Sequence, residues 1–267
     1  MKYFLYLIVY SLFWLLSKLP DGLLYAFSGF LSQCLCYLVP YRKKTTLRNI
    51  SRSFPEMSAG EINELVRKFY RFFCDVFVES LASLHWPEEK LVRRYTVKNN
   101  EMIEGYRAEG RNVMLVFGHY ANWEWFATYI KEYSPFKVLI VYKPLHNKYF
   151  DRWIQRVRMS HNSVYIPSEN AFRTILEYER EKIPYLSLML SDQRPLRENI
   201  QHWITFMNQD TPVFLGPEKI ARKTGQVVVF MNTRKLRRGH YQVEFVEICR
   251  DPKADLTDLW ATIKHFD

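Results

Sequence analysis

Residues 113–125 read Val-Met-Leu-Val-Phe-Gly-His-Tyr-Ala-Asn-Trp-Glu-Trp. Val113 to Phe117 has the length and the apolar, β-branched character of a strand covered on both faces, and Gly118 permits a sharp exit. From about Ala121 the residues Trp123, Phe126, Ala127 and Ile130 recur at helical spacing, which predicts a helix over 122–132. His119 is then expected at the strand's carboxyl end, with Glu124 on the first helical turn, where its carboxylate can reach back to the imidazole. A carboxylate on one ring nitrogen fixes the tautomer and leaves the other nitrogen free to take a proton. Strand, glycine, His119 and Glu124 together therefore describe a general base delivered to the edge of a sheet.

Spacing alone does not single out this pair. With seven histidines in the chain, about 0.7 matches to a histidine followed five residues on by an acid are expected from composition. A second match does occur, His146 with Asp151. Context separates them, because His119 follows an apolar strand and a glycine, whereas His146 follows Lys143-Pro144 in a polar stretch. A helix-capping histidine beside a surface acid suits His146 better.

Working outward, apolar runs alternate with amphipathic ones. Strands are expected at 113–117, 137–142, 164–166, 184–190, 226–231 and 241–247, and helices at 122–132, 148–159, 169–181 and 216–224. Strand, helix, strand in repetition implies an α/β fold, with a mostly parallel central sheet flanked by helices. In such sheets ligands bind beyond the carboxyl ends of the strands, where His119 is expected. Upstream, Ser58-Ala-Gly-Glu61 resembles a capping box. It opens a helix to Leu84 whose Ile62, Leu65, Val66, Phe69, Tyr70, Phe73, Phe77 and Leu81 form one broad apolar face. No glycine-rich phosphate loop is present, so no nucleotide is expected.

The amino end differs in character. Residues 3–19 are nearly all apolar or aromatic, and after Pro20-Asp21-Gly22 a second apolar stretch runs from Leu23 to Val39. The first is at the lower limit for spanning a bilayer, and its aromatics suit an interface, so residues 1–40 are expected to form a hydrophobic membrane-anchoring helix or hairpin, followed by an α/β domain over 41–267. A secretory signal and a buried helical hairpin are the rival readings. Arg42, Lys43, Lys44, Arg48 and Arg52 follow, a cluster that favours the cytoplasmic side and contact with an anionic membrane surface. The chain carries a formal net charge of +10 and a pI near 9.3, so acidic partners are expected. The basic residues are scattered and no zinc-finger spacing occurs, which argues against nucleic acid. Cys34, Cys36, Cys74 and Cys249 make neither a disulfide framework nor a metal site and read as packing residues.

With these features in place, the chain resembles the late acyltransferases of lipid A biosynthesis, the lauroyl and myristoyl transferase family within the lysophospholipid acyltransferase superfamily. Gly118 to Glu124 matches that family's Gly-His-x-x-Asn-Trp-Glu hallmark throughout. A second block appears as Tyr142-Lys143-Pro144-Leu145-His146-Asn147 through Arg156-Val-Arg158, and a third as Leu188-Met-Leu-Ser-Asp192-Gln193. A fourth comprises Phe206 through Thr211-Pro212 and then Gly216 through Gly225, leading into Val227 to Phe230. There are two departures. Lys143 stands where many relatives have arginine, losing the planar fork that grips a phosphate or carboxylate in two places. The chain also stops at Asp267, short of a further family motif, which suggests an incomplete carboxyl end.

The resemblance implies an O-acyltransferase at the cytoplasmic side of the inner membrane, without a cofactor or catalytic metal. It would move a fatty acyl group from an acyl carrier protein thioester, or coenzyme A, to a hydroxyl of a lipid A precursor. His119 would act as general base, oriented by Glu124, with no covalent acyl-enzyme. Backbone amides near Gly118 and Arg158 are candidate donors to the tetrahedral intermediate, and Arg158 also reads as a solvated helix end. Asp192 is expected to orient Arg158 or a substrate hydroxyl, or merely to form a turn, while Asn122 and Trp123 are expected to shape the helix entry and wall the acyl channel. Other acceptors, an amino-acid lipid or a glycolipid, fit equally; a lipid hydrolase and a non-enzymatic membrane scaffold are the rivals of other classes.

Overall fold

A computed structural model describes residues 2–83, 85–133, 136–143 and 163–254. The helix expected at 148–159, with Arg158 and the His146 and Asp151 pair, lies outside them, as do residues 255–267.

The strand expectations locate the sheet. Val113–Phe117 (β2) and Lys137–Tyr142 (β3) have the expected bounds, and Tyr185–Leu190 (β5) and Ser163–Pro167 (β4) differ from them by a residue or so. Val227–Arg237 (β8) and His240–Cys249 (β9) run longer than expected. With the short Tyr95–Val97 (β1) they form one seven-stranded sheet in the order β1-β9-β8-β2-β5-β3-β4. The pairings of β2 with β5 and β8, and of β3 with β4 and β5, are parallel. The hairpin of β8 and β9 is antiparallel, so β9 and its parallel neighbour β1 run against the rest. His202–Phe206 (β6) and Gln209–Val213 (β7) make a separate antiparallel ribbon.

The sheet is sealed on both faces, and β2 shows how. Its alternate residues Val113, Leu115 and Phe117 join one core with Trp125 and Phe126 of Trp123–Tyr133 (α7) and with Val78 and Ala82 of Ala59–Ser83 (α4). Met114 and Val116, pointing the other way, pack with Ile175 of Ala171–Arg180 (α8) and with Ile220 and Ala221 of Gly216–Thr224 (α9). Two short helices, Glu88–Val92 (α5) and Glu101–Ala108 (α6), flank β1.

Helix α4 opens on the expected capping box: the Ser58 amide donates to Glu61 Oε2 at 2.8 Å, and the Glu61 amide to Ser58 Oγ at 3.4 Å. Its apolar face is split rather than single. Ile62, Val66, Tyr70, Cys74 and Val78 are buried, while Phe69, Phe73 and Phe77 are exposed by 42%, 40% and 48%. The split has a cause, because Asp21–Gln33 (α2) and Lys43–Ser53 (α3) pack against α4 and cover only part of its surface.

The amino-terminal segment is tied into this core. Lys2–Lys18 (α1) packs on α4, and α2, continued by a π turn at Cys34–Leu38, buries Leu24 completely in the main core. Trp86 Nε1 donates to the Ser17 carbonyl at 3.1 Å. Much apolar surface nonetheless stays open on these helices, including Leu15, Leu23, Phe30, Leu38 and Val39. Among the described residues no single helix is long and apolar enough to cross a membrane; the pair Asp21–Leu38 and Lys43–Ser53 passes by length and composition together but is bent by 92°. The four cysteines are free, and three of them are buried.

Candidate active site

The end of β2 meets the end of β5, and strand register decides which side chains face each other there. Phe117 pairs with Leu190 in a parallel ladder, and the Ser191 amide continues it by donating to the Phe117 carbonyl at 2.9 Å. Two residues on, His119 and Asp192 stand side by side. His119 Nδ1 lies 2.7 Å from Asp192 Oδ1, and the His119 amide donates to Oδ2 at 2.8 Å. Both carboxylate oxygens are thus engaged by one residue. A Cβ on Gly118 would sit 3.4 Å from the Asp192 side chain, so the carboxylate lies directly over the turn that leaves β2.

The carboxylate on Nδ1 of the imidazole is that of Asp192, where local spacing had offered Glu124. Glu124 does occupy the first turn of α7, but the chain reaches it through Ala121, which is fully buried with φ of 56°. That left-handed turn separates the helix start from the strand end, whereas parallel pairing sets Asp192 level with His119. Asp192 was expected to orient Arg158 or a substrate hydroxyl, or to form a turn; it contacts His119, and Arg158 lies outside the described residues.

The electrostatics suit a base. Burial pushes the Asp192 carboxyl up, but hydrogen bonds from the ring and amide of His119 outweigh this and hold it below the usual carboxylate range. An ionised Asp192 on Nδ1 makes that nitrogen the donor and leaves Nε2 as the acceptor. The His119 side chain is 38% exposed, so the free nitrogen is within reach of a substrate. Trp123 packs against the ring edge-on, with centroids 5.6 Å apart.

Beneath the loop, at the expected helix entry, Asn122 is fully buried and is not among the residues that line the cavity. Its Nδ2 donates to Glu79 Oε2 at 3.3 Å, and its Oδ1 accepts from Ser80 Oγ at 3.2 Å. The Glu79 carboxylate also accepts from Tyr241 at 2.8 Å and from Tyr25 of α2 at 2.8 Å. Burial pushes the Glu79 carboxyl above the usual glutamate range, against the opposing pull of these three donors. Sequence reasoning passed over Glu79. The available signal was that Asp75 and Glu79 interrupt the apolar stripe of α4 that also carries Cys74 and Val78.

His119 opens onto a cavity of about 880 Å³. Its apolar wall comes from Ile204 and Phe206 of β6, Pro212 and Val213 of β7, and Phe230 and Met231 of β8, and its polar mouth includes Tyr120, Asp192, Gln193 and Arg234. A largely apolar cavity with an imidazole among its lining residues has the chemistry to hold an acyl chain bearing a reactive carbonyl. Among the described residues no cluster of His, Cys, Asp and Glu is arranged to hold a metal ion.

Comparison with known proteins fits this geometry. The chain is 27% identical over 154 residues to the lipid A biosynthesis lauroyltransferase of Escherichia coli (strain K12), covering 58% of this chain and 49% of that protein. It is 23% identical over 158 residues to the lipid A biosynthesis palmitoleoyltransferase of the same organism, and equally to a lipid A biosynthesis acyltransferase of Shigella flexneri, covering 59% of this chain and 51% of each. The chain thus aligns with about half the length of these curated relatives. The family described as bacterial lipid A biosynthesis acyltransferase matches residues 1–265, and the chain belongs to that family.

Proposed function

We propose that this protein transfers a fatty acyl group from an acyl carrier protein or coenzyme A thioester to a hydroxyl of a lipid A precursor. The observation that carries this reading is the imidazole of His119, braced by Asp192 through Nδ1 and facing an apolar cavity. Nε2 removes the hydroxyl proton as the oxygen attacks the thioester carbonyl. The tetrahedral intermediate then expels the thiolate, which takes the proton back from the imidazolium, leaving an ester and a free thiol. Asp192 fixes the tautomer. Glu124, in the same sequence block, adds negative charge that offsets the imidazolium. No serine or cysteine is assigned an acyl-enzyme role, so transfer is direct. Donors to the oxyanion are assigned to Arg158 and to backbone amides near Gly118, other than that of His119, which Asp192 already engages.

Incubating the purified protein with acyl carrier thioester, with and without lipid acceptor, tests this. Acyl lipid formed only when acceptor is present is the expected result. Free fatty acid released equally in both cases would make the protein a hydrolase, and an acyl-protein adduct on quenching would exclude direct transfer.

We further assign the amino-terminal helices to an anionic membrane surface at the cytoplasmic face of the inner membrane. The exposed Phe69, Phe73 and Phe77 stripe and the open apolar residues of α1 and α2 sit beside α3, with its Lys43, Lys44, Arg48 and Arg52. Co-flotation with anionic vesicles that weakens with salt and fails with neutral ones is expected; no flotation with either removes this assignment.

A further inference from the structure

One wall of the cavity has no part in the acyl-transfer chemistry just described. Strand β8 pairs with β2 only as far as Val116 opposite Phe230, then continues to Arg237 alongside β9 alone. Counting on from that register, His119 stands level with Thr233, and Arg234 and Lys235 follow one and two residues outward, at about 3.3 Å per residue. Asn232, Thr233, Arg234 and Lys235 all line the cavity.

The charges at this mouth are not balanced. The exposed side chain of Arg234 makes no hydrogen bond, ion pair or ring contact with any described residue. Lys235 lies 3.8 Å from an Asp75 oxygen and over the Phe72 ring at 4.9 Å, but Arg238 already holds that carboxylate with Nε at 2.9 Å and Nη2 at 2.5 Å. Two cations thus share one buried carboxylate, and Arg234 has no part in it. Asp192, the one carboxylate among the described residues that line the cavity, is taken by His119. The reacting atoms, a thioester carbonyl and a neutral hydroxyl, meet at His119 and need no cation this far outward.

We propose that Arg234 forms a subsite for a phosphate ester carried by one of the two substrates, away from the bond being made. This rests on the acyl-transfer reading. A guanidinium fork can give two parallel hydrogen bonds to phosphate oxygens, and Asn232, two residues back on the same face of β8, offers a further polar contact. The subsite anchors the substrate and so acts on affinity, not on the chemical step.

The test measures both turnover and direct binding with the full chain. The probes are the lipid acceptor in phosphorylated form and after phosphatase treatment, and acyl thioesters of phosphopantetheine and of unphosphorylated pantetheine. Arg234→Ala should raise KM and Kd for one phosphorylated probe about tenfold or more, with the loss falling on KM and not kcat, and Arg234→Lys should restore part of it. The unphosphorylated partner of that probe should bind wild type and variant alike. Which pair responds identifies the phosphate as that of the acceptor or that of the donor arm. Equal affinities in wild type and Arg234→Ala for every probe, or an equal loss with and without phosphate, overturns the subsite while leaving acyl transfer standing. Arg234-dependent binding of a phosphorylated probe without any acyl transfer has the opposite meaning: the subsite stands and the proposed reaction falls.

Discussion

Two carboxylates hold the loop of residues 118–122 from opposite sides, and they do so in different environments. Asp192 grips His119 from the cavity side, with 41% of its side chain exposed. Glu79 grips Asn122 from the core side, where its exposure is 0%. A hydrogen-bonded pair open to solvent contributes little to folding but sets a tautomer and an orientation. A buried acid bound to three donors contributes through what its removal leaves unpaired. The outer contact should therefore govern turnover and the inner one should govern stability.

The largest expected effect lies on the outer side. His119→Ala should lower turnover by about 10² to 10⁴, the usual contribution of a general base, with little change in melting temperature. A variant that keeps wild-type turnover while folded removes the base from the mechanism. Asp192→Asn should follow, with a loss of roughly ten- to a hundredfold. That is well short of the ~10⁴ associated with a fully buried pair, because solvent screens this one. It should again leave the melting temperature nearly unchanged. If Asp192→Asn turned over like wild type, the bracing role would pass to Glu124.

What could be read from the chain beforehand follows the same division between local and distant contacts. The bounds of β2, β3 and α9 agree with expectation because a strand buried on both faces is a continuous apolar run and a helix face repeats locally. The ribbon of β6 and β7 was not expected: its residues are half exposed, and Asp210 and Pro212 interrupt any strand pattern. The reversed direction of β9 was equally hidden, since an apolar run carries no sign of orientation. At the site, His119 was legible from a strand, a glycine and a turn adjoining one another in sequence. Its partner was not. Asp192 reaches it only through the register between β2 and β5, so the acid that local spacing could offer was the nearer Glu124.

On the inner side, Asn122→Ala should cost about 1–3 kcal/mol of stability, because the Glu79 and Ser80 groups it satisfies would lose a partner in a buried site. Chemical denaturation measures this. Turnover per folded molecule should fall less than in Asp192→Asn; a larger fall would show that the inner contact also sets the position of the base.

The smallest effect is a pH slope, and it separates the two carboxylates by sign. Glu79 has a raised pKa in the folded protein, so between the unfolded value near 4.5 and its folded value the native state binds more protons than the unfolded one. Its contribution to stability is complete below pH 4.5 and is lost as pH rises through the folded pKa. Asp192 has a lowered pKa, so its contribution is present above the unfolded value of 3.8 and is lost only as pH falls through a still lower folded value. From pH 4.5 upward, Asp192 is therefore flat and Glu79 is not. The stability gap between wild type and Glu79→Gln should be widest near pH 4.5 and narrow as pH rises, while the gap for Asp192→Asn stays constant over the same range. A gap for Glu79→Gln that widened with pH would mean that Glu79 is ionised and held by its three donors as a stabilised anion, and the two grips on the loop would then be alike in kind.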